Sequence, residues 1–371
     1  MDKNITDLIY LMSCALNETD PDPKIASDID IGMLYELCRK HSVSALIYPA
    51  LEKAGIQSDD FSQAFHKSVR KNILFNIERK AITDEFERQG IWYMPLKGII
   101  LKELYPNAGM RQMSDNDILI DPRYRENSRD IMLSRGYKIE HYDTGYCDEY
   151  MKPPVLNFEI HIRLFQYESD SIVSKYYENI SDKLLSDGVS RCGRRLSDED
   201  LYVYLTAHEY KHYSGGGTGI RSLADCYLFI KSKGDDLDWN YIDLQLSMLG
   251  LDQYEKKRRE IAMKLFSHAE PLYLSNAEEE DVMMYIRYGI YGTSEKKADT
   301  QLEKSMSSGQ TKLGYILSRA IPKPSYIKEW YPFFRKHPLL LPAGYVLRWI
   351  KALTKSRNKV KSEIHALKKH R

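Results

Sequence analysis

Two aspartates, Asp115 and Asp117, stand in the short apolar run "SDNDILI" (residues 114–120). Side chains two apart on a strand share a face, so both carboxylates point one way while Asn116, Ile118 and Ile120 point the other. A later run, "VLNFEIHIRL", repeats the alternation, with Glu159, His161 and Arg163 on one face and Phe158, Ile160 and Ile162 on the other. Carboxylates crowded on a half-buried strand cost several kcal/mol or take up a proton unless something compensates them. A divalent cation does so, and all-oxygen donors suit Mg²⁺ or Mn²⁺ better than zinc. If the two runs are neighbouring strands, Asp115, Asp117 and Glu159 form one cluster. Such a cluster can hold two ions about 3.5–4 Å apart and clamp the attacking and leaving oxygens of an in-line phosphoryl displacement.

The elements that must position these residues are legible as changes of period. Residues 1–90 carry helical periodicity and end on Gly90, a C-cap glycine. Residues 91–195 alternate strand-like runs ("IWYMPL", "DNDILI", "YKIEHY", "VLNFEIHIRL") with a helix from Lys97 to about Tyr105 and another between Pro122 and Gly136. Helical patterns return over 196–295, from a capping start at "SDEDLYVYLTAHEYKHY". Residues 296–371 read as a polar linker, within "GTSEKKADTQLEKSMSSGQ", followed by a proline-punctuated, basic helical tail. In the catalytic stretch Gly98 opens a helix where backbone can approach phosphate, and Lys97 and Arg111 can neutralise its oxygens. His161 shares the Glu159 face and can orient a ligand.

The order strand, Gly98, helix, Asp115-x-Asp117, later Glu159 resembles the nucleotidyltransferase superfamily of DNA polymerase β. More narrowly, "MPLKGIILKELYPNAGMRQMSDNDILI", "RGYKIE" and "FEIHIRL" resemble the uncharacterised bacterial nucleotidyltransferase family 5, with weaker similarity through "LTAHEYKHY", "IRSLADCYLFI" and "YPFFRKHPLLLPAGYVLRWIKAL". The resemblance implies an α+β fold: a polymerase-β-like core, a small mixed sheet with helices, flanked by N- and C-terminal helical regions. It also implies Mg²⁺-dependent transfer of a nucleoside monophosphate from an NTP, with ATP the default donor, to an acceptor hydroxyl on a small molecule, a protein or tRNA. Asp115 and Asp117 would bind both metals, and Glu159 would bind the catalytic one and help deprotonate the acceptor. The wider superfamily usually follows the glycine with glycine or serine. Here Ile99 stands in that place, so phosphate contacts fall to the backbone or to Lys97, Arg111 and Ser114. A non-catalytic, nucleotide- or partner-binding descendant of the same fold is the alternative.

Other motifs compete less well. "HEYKH" matches H-E-x-x-H, so a zinc hydrolase using His208, Glu209 and His212 is a remote reading; Lys211 inside the motif and the lack of a recognisable third ligand count against it. "SGGGTG" (214–219) lacks the G-K-[ST] ending of a phosphate loop and reads as a helix connection. Arg221 and Asp225 have ion-pair spacing on a helix.

Composition sets the remaining bounds. With 54 Lys and Arg against 53 Asp and Glu, no global field marks a nucleic-acid or membrane binder. The basic run from Lys351 to Arg371 reads as a solvated terminal helix, with RNA, acidic lipid or an acidic partner as the alternatives it could meet. Five scattered cysteines without a CxxC pair suit reduced thiols, and no run is long enough to span a bilayer, so the sequence reads as cytoplasmic.

Overall fold

The computed structural model describes residues 1–166, 171–267, 273–287, 289, 294–307, 309–354 and 357–369. Helices α1 (Lys3–Asn17), α2 (Pro23–Ala26), α3 (Ile31–His41), α4 (Ser44–Lys53) and the long α5 (Asp59–Gln89) precede the sheet region. The sheet region contains β1 (Tyr93–Pro95), α6 (Gly98–Leu101), β2 (Asn116–Ile120), α7 (Arg125–Ser134), β3 (Lys138–His141), β4 (Cys147–Lys152), β5 (Leu156–His161) and α8 (Ile172–Tyr176). A short ribbon of β6 (Leu185–Ser186) and β7 (Arg194–Arg195) closes it. Then come α9 (Asp198–Tyr213), α10 (Arg221–Lys233), α11 (Trp239–Met248), α12 (Asp252–Phe266) and α13 (Asn276–Ile286). The C-terminal part holds α14 (Ser294–Ser307), α15 (Lys312–Ala320), α16 (Pro324–Trp330), α17 (Phe333–Lys336), α18 (Leu341–Thr354) and α19 (Arg357–Lys369). This is an α+β fold, mostly helical, around one small mixed sheet.

The sheet order is β1-β2-β5-β4-β3, with β2 and β5 parallel and the other pairs antiparallel. Its two faces differ as the alternation requires. Ile118, Ile120, Phe158, Ile160 and Tyr150 pack against Phe75, Ile82 and Phe86 of α5 and Ile131 and Met132 of α7. α5 stops where Gly90 adopts φ +69° and the following amides bond back to Glu87 and Phe86. The opposite face meets α9, through a core containing Met94, Leu119, Tyr202, Val203 and Tyr204. α9 starts cleanly: Ser197 accepts the Asp200 amide, and Asp198, Glu199 and Asp200 sit at the positive end of the helix dipole.

Helices from the two ends of the chain share one core. Leu8, Met12, Leu46 and Phe61 lie in the same cluster as Ile220, Leu223, Tyr227, Phe266 and Val282, so the spans 1–90 and 196–295 pack as neighbours. Three expectations need correction. The helix after Gly98 is one α-turn followed by a 3₁₀ turn, Lys102–Leu104. A strand absent from the sequence reading, β4, completes the sheet between β5 and β3. The polar stretch expected as a linker is, over its described residues 294–307, the helix α14, whose Ala298 and Leu302 are buried with Ala366 of α19; residues 292, 293 and 308 lie outside the described residues. Among the described residues no helix is long and apolar enough to cross a membrane.

Candidate active site

The parallel register of β2 and β5 sets Asp117 directly opposite Glu159. Asp115 precedes β2 by one residue, and all three carboxylates line a cavity of about 400 Å³ between the sheet and helices α9 and α10. Asp117 is 4 % exposed. Its Oδ1 accepts from Lys97 Nζ at 2.9 Å and from His161 Nε2 at 2.8 Å. Both bonds go to one oxygen, which leaves Oδ2 for another partner. His161 Nε2 also lies 3.4 Å from Glu159 Oε2.

The electrostatics of the aspartates diverge. Burial pushes the Asp117 carboxyl up, but Lys97 and His161 overcompensate and hold it well below the usual range. Asp115 is raised to about 6, first by burial and then by the charges of Asp117 and Glu159. The cluster therefore carries more negative charge than Lys97, the lysine hydrogen-bonded to it, neutralises. Lys97 itself, though buried, is held protonated by Asp117.

Local backbone explains the placement of Lys97. Leu96 donates to the Asp117 carbonyl and the Ile99 amide bonds back to Leu96, closing a tight turn. Lys97 takes φ +47°, ψ −114° in that turn, a conformation costly for a residue with a Cβ, on the order of 1–3 kcal/mol. Gly98 is required for a different reason: a Cβ there would meet Arg111 Nη1 at 2.6 Å and Met113 Cε at 2.9 Å.

Not every expected residue faces the cavity as a free group. Arg111 is buried and forms a two-pronged pair with Asp225, Nε to Oδ1 at 2.7 Å and Nη2 to Oδ2 at 2.8 Å, and the Tyr105 hydroxyl donates to the same carboxylate. Arg111 lines the cavity, but with its charge balanced by Asp225 rather than as the free cation expected for a phosphate contact. His161 is fully buried behind Asp117 and is a support for the carboxylates rather than a nucleotide contact. Ser114 is exposed and lines the cavity; its carbonyl accepts from Lys71 Nζ. Ile99 turns away, into the core with Phe75 and Ile118.

The helical wall is built differently. Glu209 accepts from Tyr254 and from Arg258, each at 2.8 Å. Glu255 accepts from Tyr202 and Arg259. Glu209 is thus not a free base, which corrects the zinc-hydrolase reading of "HEYKH". His208 and His212 do line the cavity, with Nε2 atoms 3.4 Å apart. Desolvation, and then nearby charges including those of Lys97 and Lys211, lower both, His208 well below its ordinary value and His212 to about 4. The "SGGGTG" segment connects α9 to α10, with Gly216, Gly217 and Gly219 at positive φ. Asp225 is held by Arg111, while Arg221 donates to the Gln112 carbonyl.

Sequence reasoning missed Tyr146, Tyr202, Arg258 and Lys297, which line the cavity, and Cys147 beside it. Cys147 pairs with His161 across β4 and β5. Its thiol, a Glu159 oxygen and a His161 nitrogen lie within 4.8 Å of one another. Burial, and then the Glu159 charge, push that thiol up to about 12, so the ionisable oxygens of the cluster are the better cation donors.

With this geometry established, comparison with known families is informative. The model of the family described as "Uncharacterised nucleotidyltransferase" matches residues 27–267. The chain belongs to that family. The match includes every carboxylate of the cluster and both walls of the cavity as far as α12, and it extends beyond the sheet into the helices on either side. Comparisons with curated proteins and with solved structures found no match.

Proposed function

We propose that this nucleotidyltransferase-family chain transfers a nucleoside monophosphate from an NTP, ATP by default, to an acceptor hydroxyl, on a polymerase-β-like core loaded with Mg²⁺ or Mn²⁺. The observation that carries the reading is the register: Asp117 beside Glu159, Asp115 two residues before, all facing one cavity, with Lys97 the cation bonded to Asp117. The donor set fits a hard cation, since it offers three carboxylates, one oxygen of Asp117 is uncommitted, and the charge of Asp115 is destabilised without a counterion. When bound, such ions supply charge neutralisation for the triphosphate and polarise the phosphorus that is attacked.

The chain's own residues do the remaining work. Lys97 and His161 fix Asp117 so that its free oxygen faces the cavity. Glu159, opposite it, is placed to receive the proton of an acceptor hydroxyl. Neutral His208 and His212 offer lone pairs or N–H groups to the acceptor without adding charge. Ser114 and the cavity-side backbone near Gly98 are the available phosphate contacts, because the Arg111 charge is balanced by Asp225.

A second reading, a nucleotide- or partner-binding protein without turnover, is favoured by Ile99, whose place in the core leaves no hydroxyl at that position of the turn. One experiment separates the two. Purified protein with Mn²⁺ and ATP is titrated calorimetrically and assayed for pyrophosphate release over a panel of hydroxyl acceptors. Metal-dependent release that disappears in Asp117→Asn supports transfer; binding without release over the whole panel supports the second reading.

A further inference from the structure

The C-terminal helices present an apolar surface left exposed by the described residues. On α18, Val346, Ile350 and Leu353 follow the i, i+4, i+7 spacing of one helix face, Leu347 lies beside them, and all four are exposed. The opposite side of α18 is firmly seated. Gly344 packs so closely that a Cβ would meet Ile327 at 2.6 Å and Phe334 at 3.0 Å, and the Tyr345 hydroxyl donates to the Pro322 carbonyl. The apolar stripe therefore faces outward by construction. α15 abuts α18, since Trp349 Nε1 donates to the Ala320 carbonyl at that helix's end, and it has an exposed apolar run of its own, Leu313, Ile316 and Leu317 at i, i+3 and i+4. Phe333 of α17 and Leu339 in the turn before α18 add to the exposed apolar surface, the latter 94 % exposed.

Charge singles out the same segment. Residues 311–371 hold fifteen lysines and arginines against two acids, Glu329 and Glu363, in a chain whose overall balance is +1. The rest of the molecule is correspondingly acidic. Among the described side chains Lys336, Lys351, Lys361 and Lys368 are exposed.

We propose that this segment docks the protein onto an anionic lipid surface, with the α18 and α15 stripes in the acyl boundary and the lysines among the headgroups. Exposed leucine, isoleucine and tryptophan together with clustered lysine are the residues of an interfacial helix. A nucleic acid would match the charge but leave the leucines and isoleucines wet. A second copy would bury the apolar stripes but bring like-charged segments together. At 14 residues α18 is about 21 Å long, too short to span a hydrocarbon core of about 30 Å, so it lies in the surface. α14, packed on α19, carries Lys297 into the cavity wall, so docking brings the cavity near the lipid surface.

The test is co-sedimentation of the full chain with vesicles of phosphatidylcholine alone or mixed with phosphatidylglycerol. Pelleting with the anionic vesicles is expected, weakened about tenfold without phosphatidylglycerol and weakened by salt. The exposed pair Ile350→Asp/Leu353→Asp should lose about tenfold or more of that binding with an unchanged circular dichroism spectrum and melting temperature. Lys361→Glu/Lys368→Glu should act likewise and independently, since each basic residue near such a surface is worth about fivefold. Absence of vesicle binding overturns the proposal. So does vesicle binding indifferent to the aspartate pair, tighter binding to single-stranded RNA than to vesicles, or a dimer in solution that the aspartate pair dissociates.

Discussion

The two walls of the cavity handle buried acid in opposite ways. On the helical wall each carboxylate that lines the cavity meets a guanidinium, Asp225 with Arg111 and Glu209 with Arg258, and Glu255, outside the lining, meets Arg259. On the sheet wall Asp115, Asp117 and Glu159 share one lysine and a histidine. Burial is comparable, so the difference lies in compensation. A paired carboxylate is part of the scaffold and has little left to give, whereas an under-compensated cluster stores an electrostatic cost that a cation relieves. The proposed chemistry belongs to the sheet wall because the charge there is left uncompensated.

The largest effect should come from the sheet wall. Asp117→Asn is expected to lower nucleotidyl transfer on the order of 10³-fold, read as pyrophosphate release at saturating Mn²⁺, because charge stabilisation worth several kcal/mol is removed. Retention of activity within tenfold would place the chemistry elsewhere. On the paired wall the loss should instead be structural: Asp225→Ala leaves the Arg111 guanidinium buried without its partner and should cost about 3 kcal/mol in urea unfolding. His161→Asn tests the support beneath the cluster. It should weaken Mn²⁺ affinity about 10–100-fold by calorimetry while the unfolding midpoint moves less than in Asp225→Ala.

The smallest effect has an unusual sign. Because the Asp115 carboxyl is raised from 3.8 to about 6, its charge works against folding above pH 6, and the folded protein binds that proton more tightly than the unfolded chain does. Asp115→Asn should therefore stabilise the metal-free protein, by about 1 kcal/mol at pH 7.5 after allowance for its partial exposure. That advantage should shrink as pH falls through about 6 and vanish below 3.8, where both states of the wild type are protonated. Added Mn²⁺ should raise the melting temperature of the wild type more than that of the variant. Asp117 has the opposite sign, its contribution being present above pH 3.8 and lost as pH falls toward its lower folded value.

What could be read from the sequence followed from local rules. The period of two put Asp115 with Asp117 and Glu159 with His161, and the capping start at Ser197 placed α9. What could not be read depended on distance. The β2–β5 register joins residues 42 positions apart, and the carboxylate that engages Arg111 is 114 positions away. β4 escaped notice because "CDEYMK" is too charged to look like a strand; Asp148 within it is buried against Arg125 of α7, a compensation no local pattern reveals. α14 was obscured by composition: among its described side chains Ala298 and Leu302 are the buried apolar ones, four residues apart in an otherwise polar run.

The turn at Lys97 has an evolutionary corollary. Selection for a relaxed backbone alone would favour glycine at that position, since only glycine takes φ +47°, ψ −114° without penalty. Keeping a lysine there retains an ammonium group against Asp117 at the expense of conformational ease. A lineage that had abandoned catalysis would be free to drift toward glycine, so the residue found at this turn serves as a fossil marker of whether a given descendant still uses its acidic cluster.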